Sequence, residues 1–386
     1  MNDEIKQLAG KLSAHFPELK ISCDKPWKSL TTLGIGTAYP IFVEPTDDIQ
    51  LASFIKFCKK ESIKIIFLGN GSNILGTDLD IPNAVVIKLS SPEFKKVKIS
   101  HVHVNAGSGL SLANFLKRCA KKGLGGASSL SGIPGTLGGA IRMNAGTKKS
   151  SVSRFIESVC GIDSNGQNWE APASEIKWGN RENSIPEDII ITCAIWKFDK
   201  SITEYELSEI SAELKRRRQA EPKQKNAGCV FKNPSTELSA GMLIEKAGCK
   251  KLSIGDAEVS EIHANYVVNK ANATENDFLS LLINVRNLVY NQTGIILSPE
   301  LKFANPESRS ALMSSLPVPK VAVLKGGTSN EREVSLVSGS CVATALRSAG
   351  YNVSEIDLKA PEITDEMRTA DIIFPVLHGG FGENGE

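Results

Sequence analysis

Several features that would narrow the function at once are missing from this chain. The cysteines form no CxxC pair and no Cys/His cluster at metal-ligand spacing. His101 and His103 alternate on a predicted strand, but no third ligand stands nearby, so we expect no metal site. Scattered cysteines are typical of free thiols in a reducing compartment. The eight are Cys23, Cys58, Cys119, Cys160, Cys193, Cys229, Cys249 and Cys341.

A strong net charge and long apolar runs are also absent. The 386 residues carry a formal net charge of +2, which favours neither nucleic acid nor a membrane surface as a partner. No apolar run approaches the roughly 18 residues that a membrane span requires. The amino terminus has a charged amphipathic helix pattern rather than a targeting pattern. We therefore expect a cytoplasmic protein whose cores suffice for folding.

Periodicity and turn residues divide the chain. From 41 to 140, β-branched runs such as IKIIFLG alternate with helical patterns such as IQLASFIKFCKK, and 155–199 is mostly strand-like. A long helical pattern over 275–294 ends at a natural stop, Gly294. Residues 305–319 turn toward proline, serine and charge, as a linker does, and a βαβ pattern follows. These patterns predict an α+β protein with more than one domain.

Two glycine-rich segments are candidates for phosphate binding. LGNGSN, residues 68–73, follows a strand directly, and its glycines can turn backbone N–H groups toward phosphate oxygens. It is neither a Walker loop nor GxGxxG, and a plain tight turn is the alternative. The second segment, 125–146, has few bulky side chains, so its main chain can approach a ligand closely. Interleaved Ile133, Pro134 and Leu137 favour an ordered path over a flexible surface loop.

Five motifs resemble those of the flavin-dependent UDP-N-acetylenolpyruvoylglucosamine reductases of peptidoglycan synthesis. They are TTLGIGT, LGNGSN, SGIPGTLGGAIRMNAG, NAGCVFKNP and VSEIHANYVVN, in family order over about residues 25–304. The resemblance implies an FAD-binding domain of the vanillyl-alcohol-oxidase (PCMH) type in two lobes, and a separate α+β substrate-binding domain. No long insertion follows Arg181, as in the shorter subtype without a substrate-covering tyrosine loop. The implied divisions are an amino-terminal helix at 1–24, the flavin domain at 25–199, the substrate domain at 200–304 and a linker at 305–319.

The resemblance also implies the reaction. NADPH reduces FAD, and hydride then adds to C3 of the enolpyruvyl group of UDP-N-acetylglucosamine enolpyruvate to give UDP-N-acetylmuramate. Negative charge develops at C2 and spreads into the neighbouring carboxylate. The protein must therefore stabilise that carboxylate and deliver a proton to C2. The small-molecule substrate is the partner we expect, with a monomeric protein.

Three residues match the catalytic positions of that family. Arg181 would pair with the substrate carboxylate, and Glu300 would polarise the developing enolate or orient a proton-carrying water. Asn180 precedes the arginine where the family usually has tyrosine. Cys229 takes the place of the usual serine proton donor; a thiol is the stronger acid, but a neighbouring cation could hold it as thiolate. Without the resemblance, each would pass for an ordinary surface or packing residue.

Binding residues follow from the same motifs. Lys232 and Asn233 are candidates for the diphosphate and uridine of the substrate, with Ser260 and His263 as further candidates. A basic run at 215–219, KRRRQ, is more typical of a solvated helix end. The predicted flavin contacts are Gly69, Asn70, Gly71, Ser72, Asn73, Gly132, Ile133, Pro134, Gly135, Thr136 and Gly139.

The carboxyl-terminal segment, about 320–386, resembles the beginning of D-alanine–D-alanine ligases. In that family, the residues matching Glu331 and His378 lie near the first D-alanine. The ATP-grasp lobes are absent, so we expect no ligase activity, and the segment is either part of a bifunctional fusion or vestigial. Two rival functions stay open for the whole chain: another flavin oxidase or dehydrogenase on the same fold, and a catalytically silent nucleotide-sugar binding protein.

Overall fold

The computed structural model describes residues 3–315, 319–348 and 351–379. The chain divides into two compact units, the first ending at Ser314 and the second beginning at Ser315. Within the described part of the chain, no helix combines the length and the apolar character that a bilayer crossing demands.

The first lobe of unit 1 is a small α/β layer. Its sheet has the order β1-β2-β5-β3, in which β2, β5 and β3 are parallel and β1 is antiparallel. Asp47 caps the main helix, and an apolar face with the spacing of Leu51, Phe54 and Cys58 is fully buried on the sheet. The elements are α1 (Asp3–His15), β1 (Lys20–Ser22), α2 (Trp27–Leu30), β2 (Ile41–Glu44), α3 (Asp48–Lys60), β3 (Lys64–Phe67), β4 (Ile74–Leu75) and β5 (Ala84–Ile87).

The second lobe contains a five-stranded antiparallel sheet in the order β10-β9-β13-β7-β6. The central strand β13 is apolar along most of its length, and this allows both of its faces to be covered. Helices α4 and α5 pack on the same core. The elements are β6 (Val97–Ser100), β7 (His103–Gly107), α4 (Leu112–Ala120), β8 (Leu124–Gly125), α5 (Leu137–Arg142), β9 (Ile156–Ile162), β10 (Asn168–Pro172), β11 (Trp178–Gly179), β12 (Glu182–Asn183), β13 (Ile190–Lys197) and β14 (Asp199–Lys200).

The rest of unit 1 is an antiparallel sheet, β15-β18-β17-β16, covered by α8. A capping box of Thr274 and Asp277 begins α8, and Gly294, left-handed at φ 68°, ends it as expected. The elements are α6 (Thr203–Ala220), β15 (Lys225–Cys229), α7 (Ala240–Lys246), β16 (Ser253–Ile254), β17 (Ala257–Val259), β18 (Tyr266–Asn269), α8 (Glu275–Thr293), β19 (Lys302–Phe303) and α9 (Pro306–Ser314).

The structure differs from the expected linker at 305–319. Residues 306–314 form α9, and Leu312 of this helix is fully buried in the core around α8. Arg286 of α8, itself fully buried, donates to the carbonyl oxygens of Leu297 and Leu312. The polar composition of this segment gave no sign of a helix, because only Ser308 and Leu312 of α9 are buried. The helix is held by hydrogen bonding from Arg286, which is distant in sequence.

Unit 2 is a three-stranded parallel sheet, β21-β20-β22, with one long helix. This arrangement agrees with the βαβ pattern expected beyond residue 320. The elements are β20 (Lys320–Gly326), α10 (Arg332–Ser348), β21 (Asn352–Leu358), α11 (Asp365–Arg368) and β22 (Ile372–Pro375). The mixture of helices and strands in both units confirms the predicted α+β class.

Candidate active site

A cavity of about 590 Å³ in unit 1 is lined by both glycine-rich loops. The same cavity is lined by Arg181, Cys229 and Glu300, which come from three separate segments of the chain. Its volume lies within the range of about 300–1,000 Å³ that is usual for ligand sites.

The two glycine-rich loops contact each other at the cavity. The Ser72 hydroxyl donates to the Pro134 carbonyl at 3.2 Å. Gly71 has φ +65°, and a Cβ on it would lie 2.1 Å from the Leu30 carbonyl oxygen, so only glycine fits there. Of the predicted flavin contacts, Gly132 alone is not among the described lining residues. Those that line the cavity are Gly69, Asn70, Gly71, Ser72, Asn73, Ile133, Pro134, Gly135, Thr136 and Gly139.

Cys229 ends β15 directly after a bulge. Gly228, at φ +78°, shifts the register between β15 and β18, so that Cys229 lies opposite Tyr266. Burial raises the pKa of the Cys229 thiol to about 12; the charge of Glu300 adds to this rise and that of Arg181 opposes it. The thiol is therefore protonated at neutral pH, although a guanidinium is nearby.

Glu300 is held in place through its backbone. Its N–H donates to the Val230 carbonyl at 2.9 Å, beside Cys229. Its carbonyl oxygen accepts from Asn73 Nδ2 at 3.2 Å, which ties it to the first glycine-rich loop. Burial raises the pKa of the Glu300 carboxyl above its ordinary value, while Arg181 and Lys232 pull it down. Burial thus favours the acid form of Glu300 more than it would that of an exposed glutamate.

Arg181 lies at the tip of the β11–β12 hairpin. Its backbone is left-handed at φ +60°, an uncommon conformation for a residue with a side chain. Its Nε lies 3.0 Å from Glu300 Oε1. Asn180, the residue that departs from the family pattern, is exposed and does not belong to the described cavity lining. The hairpin thus directs the guanidinium of Arg181, and not the side chain of Asn180, toward the Glu300 carboxyl.

The predicted substrate residues lie outside the described lining of the cavity. Lys232 Nζ pairs with Glu182 at 2.8 Å. The polar side-chain atoms of the other three each accept a hydrogen bond from backbone. Asn233 Oδ1 accepts from Ala240 N at 3.0 Å, Ser260 Oγ from Ile262 N at 3.2 Å, and His263 Nδ1 from Asn265 N at 3.2 Å.

Sequence reasoning missed several polar residues that line the cavity, among them Tyr266, Arg217 and Lys302. Arg217 belongs to the basic run that suggested a solvated helix end, yet its side chain is only 16% exposed and pairs with Glu221 at 3.1 Å. Lys302 stands two residues after Glu300, at the first position of β19, and burial lowers its pKa. The VSEIHANYVVN motif contained Tyr266, but nothing in the motif said which of its residues faces the cavity.

Family models identify the class of the protein. Residues 39–171 match the model described as an FAD binding domain. They include both glycine-rich loops, which line the cavity together. The chain is thus a flavoprotein of the predicted FAD-binding fold.

A second model and full-length relatives identify the family. Residues 220–304 match the carboxyl-terminal domain of UDP-N-acetylenolpyruvoylglucosamine reductase. The reductase of Syntrophobacter fumaroxidans is 31% identical over 79% of this chain and 90% of its own length. That of Heliobacterium modesticaldum is 35% identical over 72% and 88%. The crystal structure of the Thermus caldophilus reductase superposes with a TM-score of 0.64 at 31% identity, covering 74% of this chain and 99% of that one. The chain belongs to the family of UDP-N-acetylenolpyruvoylglucosamine reductases.

Proposed function

We propose that this chain reduces UDP-N-acetylglucosamine enolpyruvate to UDP-N-acetylmuramate with FAD and NADPH, in peptidoglycan precursor synthesis. One observation carries the proposal: Arg181, Cys229 and Glu300 converge on a cavity that two glycine-rich loops also line. An electrostatic anchor, a proton donor and a cofactor site therefore meet within one space. Each is a requirement of adding hydride and proton across a double bond.

The loops fit a flavin dinucleotide. Gly71 keeps the first loop against the Leu30 main chain, where no larger residue fits, and Ser72 joins it to the second loop. The contact residues we propose for the cofactor are those predicted from the motifs, including Gly132, which is outside the described lining of the cavity. Bound FAD supplies hydride chemistry; the protein supplies position and charge.

The three site residues divide the remaining work. We assign Arg181 to the substrate carboxylate, where a planar guanidinium binds two oxygens at once. Glu300, with its pKa raised by burial, donates a hydrogen bond to the charge that develops on that carboxylate. The Cys229 S–H bond breaks as the new C2–H bond forms, and solvent restores the proton to sulfur. A raised thiol pKa keeps that proton available.

Lys232 and Asn233 stay our candidates for the substrate diphosphate, with Ser260 and His263 beside them. Support comes from the Lys232–Glu182 pair, because Glu182 adjoins Arg181 in the hairpin. We also propose a monomeric cytoplasmic protein with its flavin domain at 25–199 and its substrate domain at 200–304.

We infer that unit 2 is a partial ligase-like domain from its resemblance to the start of D-alanine–D-alanine ligases. Glu331 N–H donates to Ser329 Oγ at 3.1 Å, and this hydroxyl donates to the His378 carbonyl at 2.6 Å. The two residues singled out by the resemblance thus share one partner. Sequencing the gene beyond codon 386 for an ATP-grasp region tests whether the natural product is a bifunctional fusion.

Anaerobic flavin spectroscopy tests the reductase function. We expect the purified protein to be yellow, to lose its flavin absorbance with NADPH, and to regain it when the enolpyruvyl sugar nucleotide is added without oxygen. Another flavin oxidase on this fold would bleach but would not recover with this substrate. A silent binding protein would not bleach at all.

A further inference from the structure

Cys160 and Cys193 face each other across neighbouring strands of the second lobe. They are register partners in the antiparallel pair of β9 and β13, so their side chains lie on the same face of the sheet. Directly opposite residues in such a pair have Cα atoms about 4.5–5.5 Å apart. A disulfide accepts Cα separations of about 4.4–6.8 Å. The usual separation of such a pair therefore overlaps the range that a disulfide accepts.

Accessibility separates this pair from three of the other six thiols. Cys160 and Cys193 are both partly exposed, whereas Cys58, Cys119 and Cys249 are buried. The register of β13 also shifts between Ile191 and Cys193, so a β-bulge adjoins the pair. A bulge lets one strand bend locally, which helps a sulfur reach the geometry of a bond.

We propose that Cys160 and Cys193 form a reversible intramolecular disulfide by exchange with a small disulfide such as oxidised glutathione, and that this oxidation alters flavin binding. One thiolate attacks the external disulfide and releases one glutathione thiolate. The second then attacks the mixed disulfide and releases the other. Two protein thiols lose two protons and two electrons, and the external disulfide gains the electrons.

Thiolate is the attacking species, and either member of the pair can supply it because both thiols are partly exposed. The other thiol then resolves the mixed disulfide.

Backbone hydrogen bonds connect the strand that carries Cys193 to the second glycine-rich loop. Thr192, next to Cys193, accepts from Ser108 N–H at 2.8 Å. The Ser108 carbonyl in turn accepts from Gly138 N–H at 2.9 Å, and Gly138 lines the cavity. A change in the bulge at Thr192 reaches the second glycine-rich loop through two backbone hydrogen bonds, so oxidation acts on flavin affinity.

The experiment uses the flavin-loaded protein in a Cys341→Ser background, which removes an exposed thiol from the count. The protein is equilibrated in mixtures of reduced and oxidised glutathione, quenched with an alkylating reagent and mapped by mass spectrometry. We expect one linked peptide pair containing Cys160 and Cys193, reversed by dithiothreitol. Separate alkylation or separate glutathionylation of both thiols across the whole titration would overturn the disulfide.

The Cys160→Ser variant provides a control for this experiment. With Cys160→Ser, the reaction should stop at a glutathione adduct on Cys193, because the resolving thiol is gone. Flavin affinity is measured by fluorescence for the reduced and the oxidised parent, and for Cys160→Ser under both conditions. We expect at least about a threefold difference between the parent forms, well outside the scatter of the variant. Equal flavin affinities in a fully linked parent would overturn the coupling.

Discussion

Cys229 is the proton donor that we propose, and replacing it distinguishes a role in packing from a role in proton delivery. We predict that Cys229→Ser retains substrate reduction, because a hydroxyl at this position can still donate. Cys229→Ala should slow reduction of the double bond by about 10²–10⁴-fold, the usual contribution of general acid catalysis. Reduction of the flavin by NADPH should be unchanged. Anaerobic stopped-flow absorbance measures the two half-reactions separately.

Cys249→Ala is the matched control for that prediction. Cys249 is fully buried and belongs to the core around α8, so its loss should lower stability without changing either half-reaction. Comparable rates of double-bond reduction in Cys229→Ala and the parent would remove Cys229 from the mechanism.

The raised pKa of Glu300 predicts a pH-dependent stability. Because burial favours the protonated carboxyl, this group stabilises the folded state fully below its ordinary pKa and loses that contribution as pH rises through the raised value. Glu300→Gln cannot titrate. The free energy of unfolding of the parent, relative to this variant, should therefore fall as the pH rises from below the ordinary pKa of a glutamate through the raised value. Urea denaturation of the flavin-free protein across this range measures it, and a parallel pair of curves would contradict the prediction.

The resemblance of short motifs predicted which residues meet, but not their ionisation. Arg181, Cys229 and Glu300 are far apart in sequence, and each motif carried its own residue to the cavity. The pKa of Cys229 depends on burial and on the other two charges, which no single motif contains. The left-handed backbone of Arg181 was hidden for the same reason, since it follows from the hairpin that the surrounding lobe imposes.

At the scale of elements, replacing Gly71 tests whether flavin binding depends on the position of the first glycine-rich loop. Gly71→Ala should reduce flavin binding, because the new Cβ would lie 2.1 Å from the Leu30 carbonyl and would push the loop away. Gly248→Ala is the control: its φ of +72° is similarly strained, but nothing lies within 4 Å of the added Cβ. The control should cost about 1–2 kcal/mol of stability and no flavin. Flavin content per protein, read from the absorption spectrum, distinguishes the two, and equal flavin content would refute a steric role for Gly71.

Replacing Arg286 tests what holds α9, the helix that the sequence patterns did not predict. Arg286→Met keeps most of the volume but leaves the carbonyls of Leu297 and Leu312 without this donor. Loss of hydrogen bonds to a buried charged group predicts a decrease of about 3 kcal/mol in the free energy of unfolding. Arg309→Met, on the exposed face of α9, should be nearly neutral. Chemical denaturation of both variants checks the difference, and similar values would mean that α9 is not held through Arg286.

For the whole molecule, the two compact units predict that the reductase does not depend on unit 2. Among the residues that the structure describes, every one that lines the cavity belongs to unit 1, and the hydrophobic cores around it also lie in unit 1. A chain ending after Ser315 should therefore bind flavin and turn over substrate like the parent. Steady-state kinetics and flavin content test this. Loss of either in a folded truncated protein would assign unit 2 a part in the reaction.

A short parallel ladder joins β4 to β19 and has a consequence for how the protein is made. Lys302 N–H donates to Asn73 O, and Ala304 N–H donates to Leu75 O. Asn73 and Glu300, which also bond, are 227 residues apart in sequence. Contacts between such distant segments form late, and amino-terminal regions leave the ribosome first. The first glycine-rich loop therefore lacks its hydrogen bonds to residues 300–304 until residue 304 has been synthesised. We expect the nascent polypeptide to acquire its flavin only after translation has passed that point.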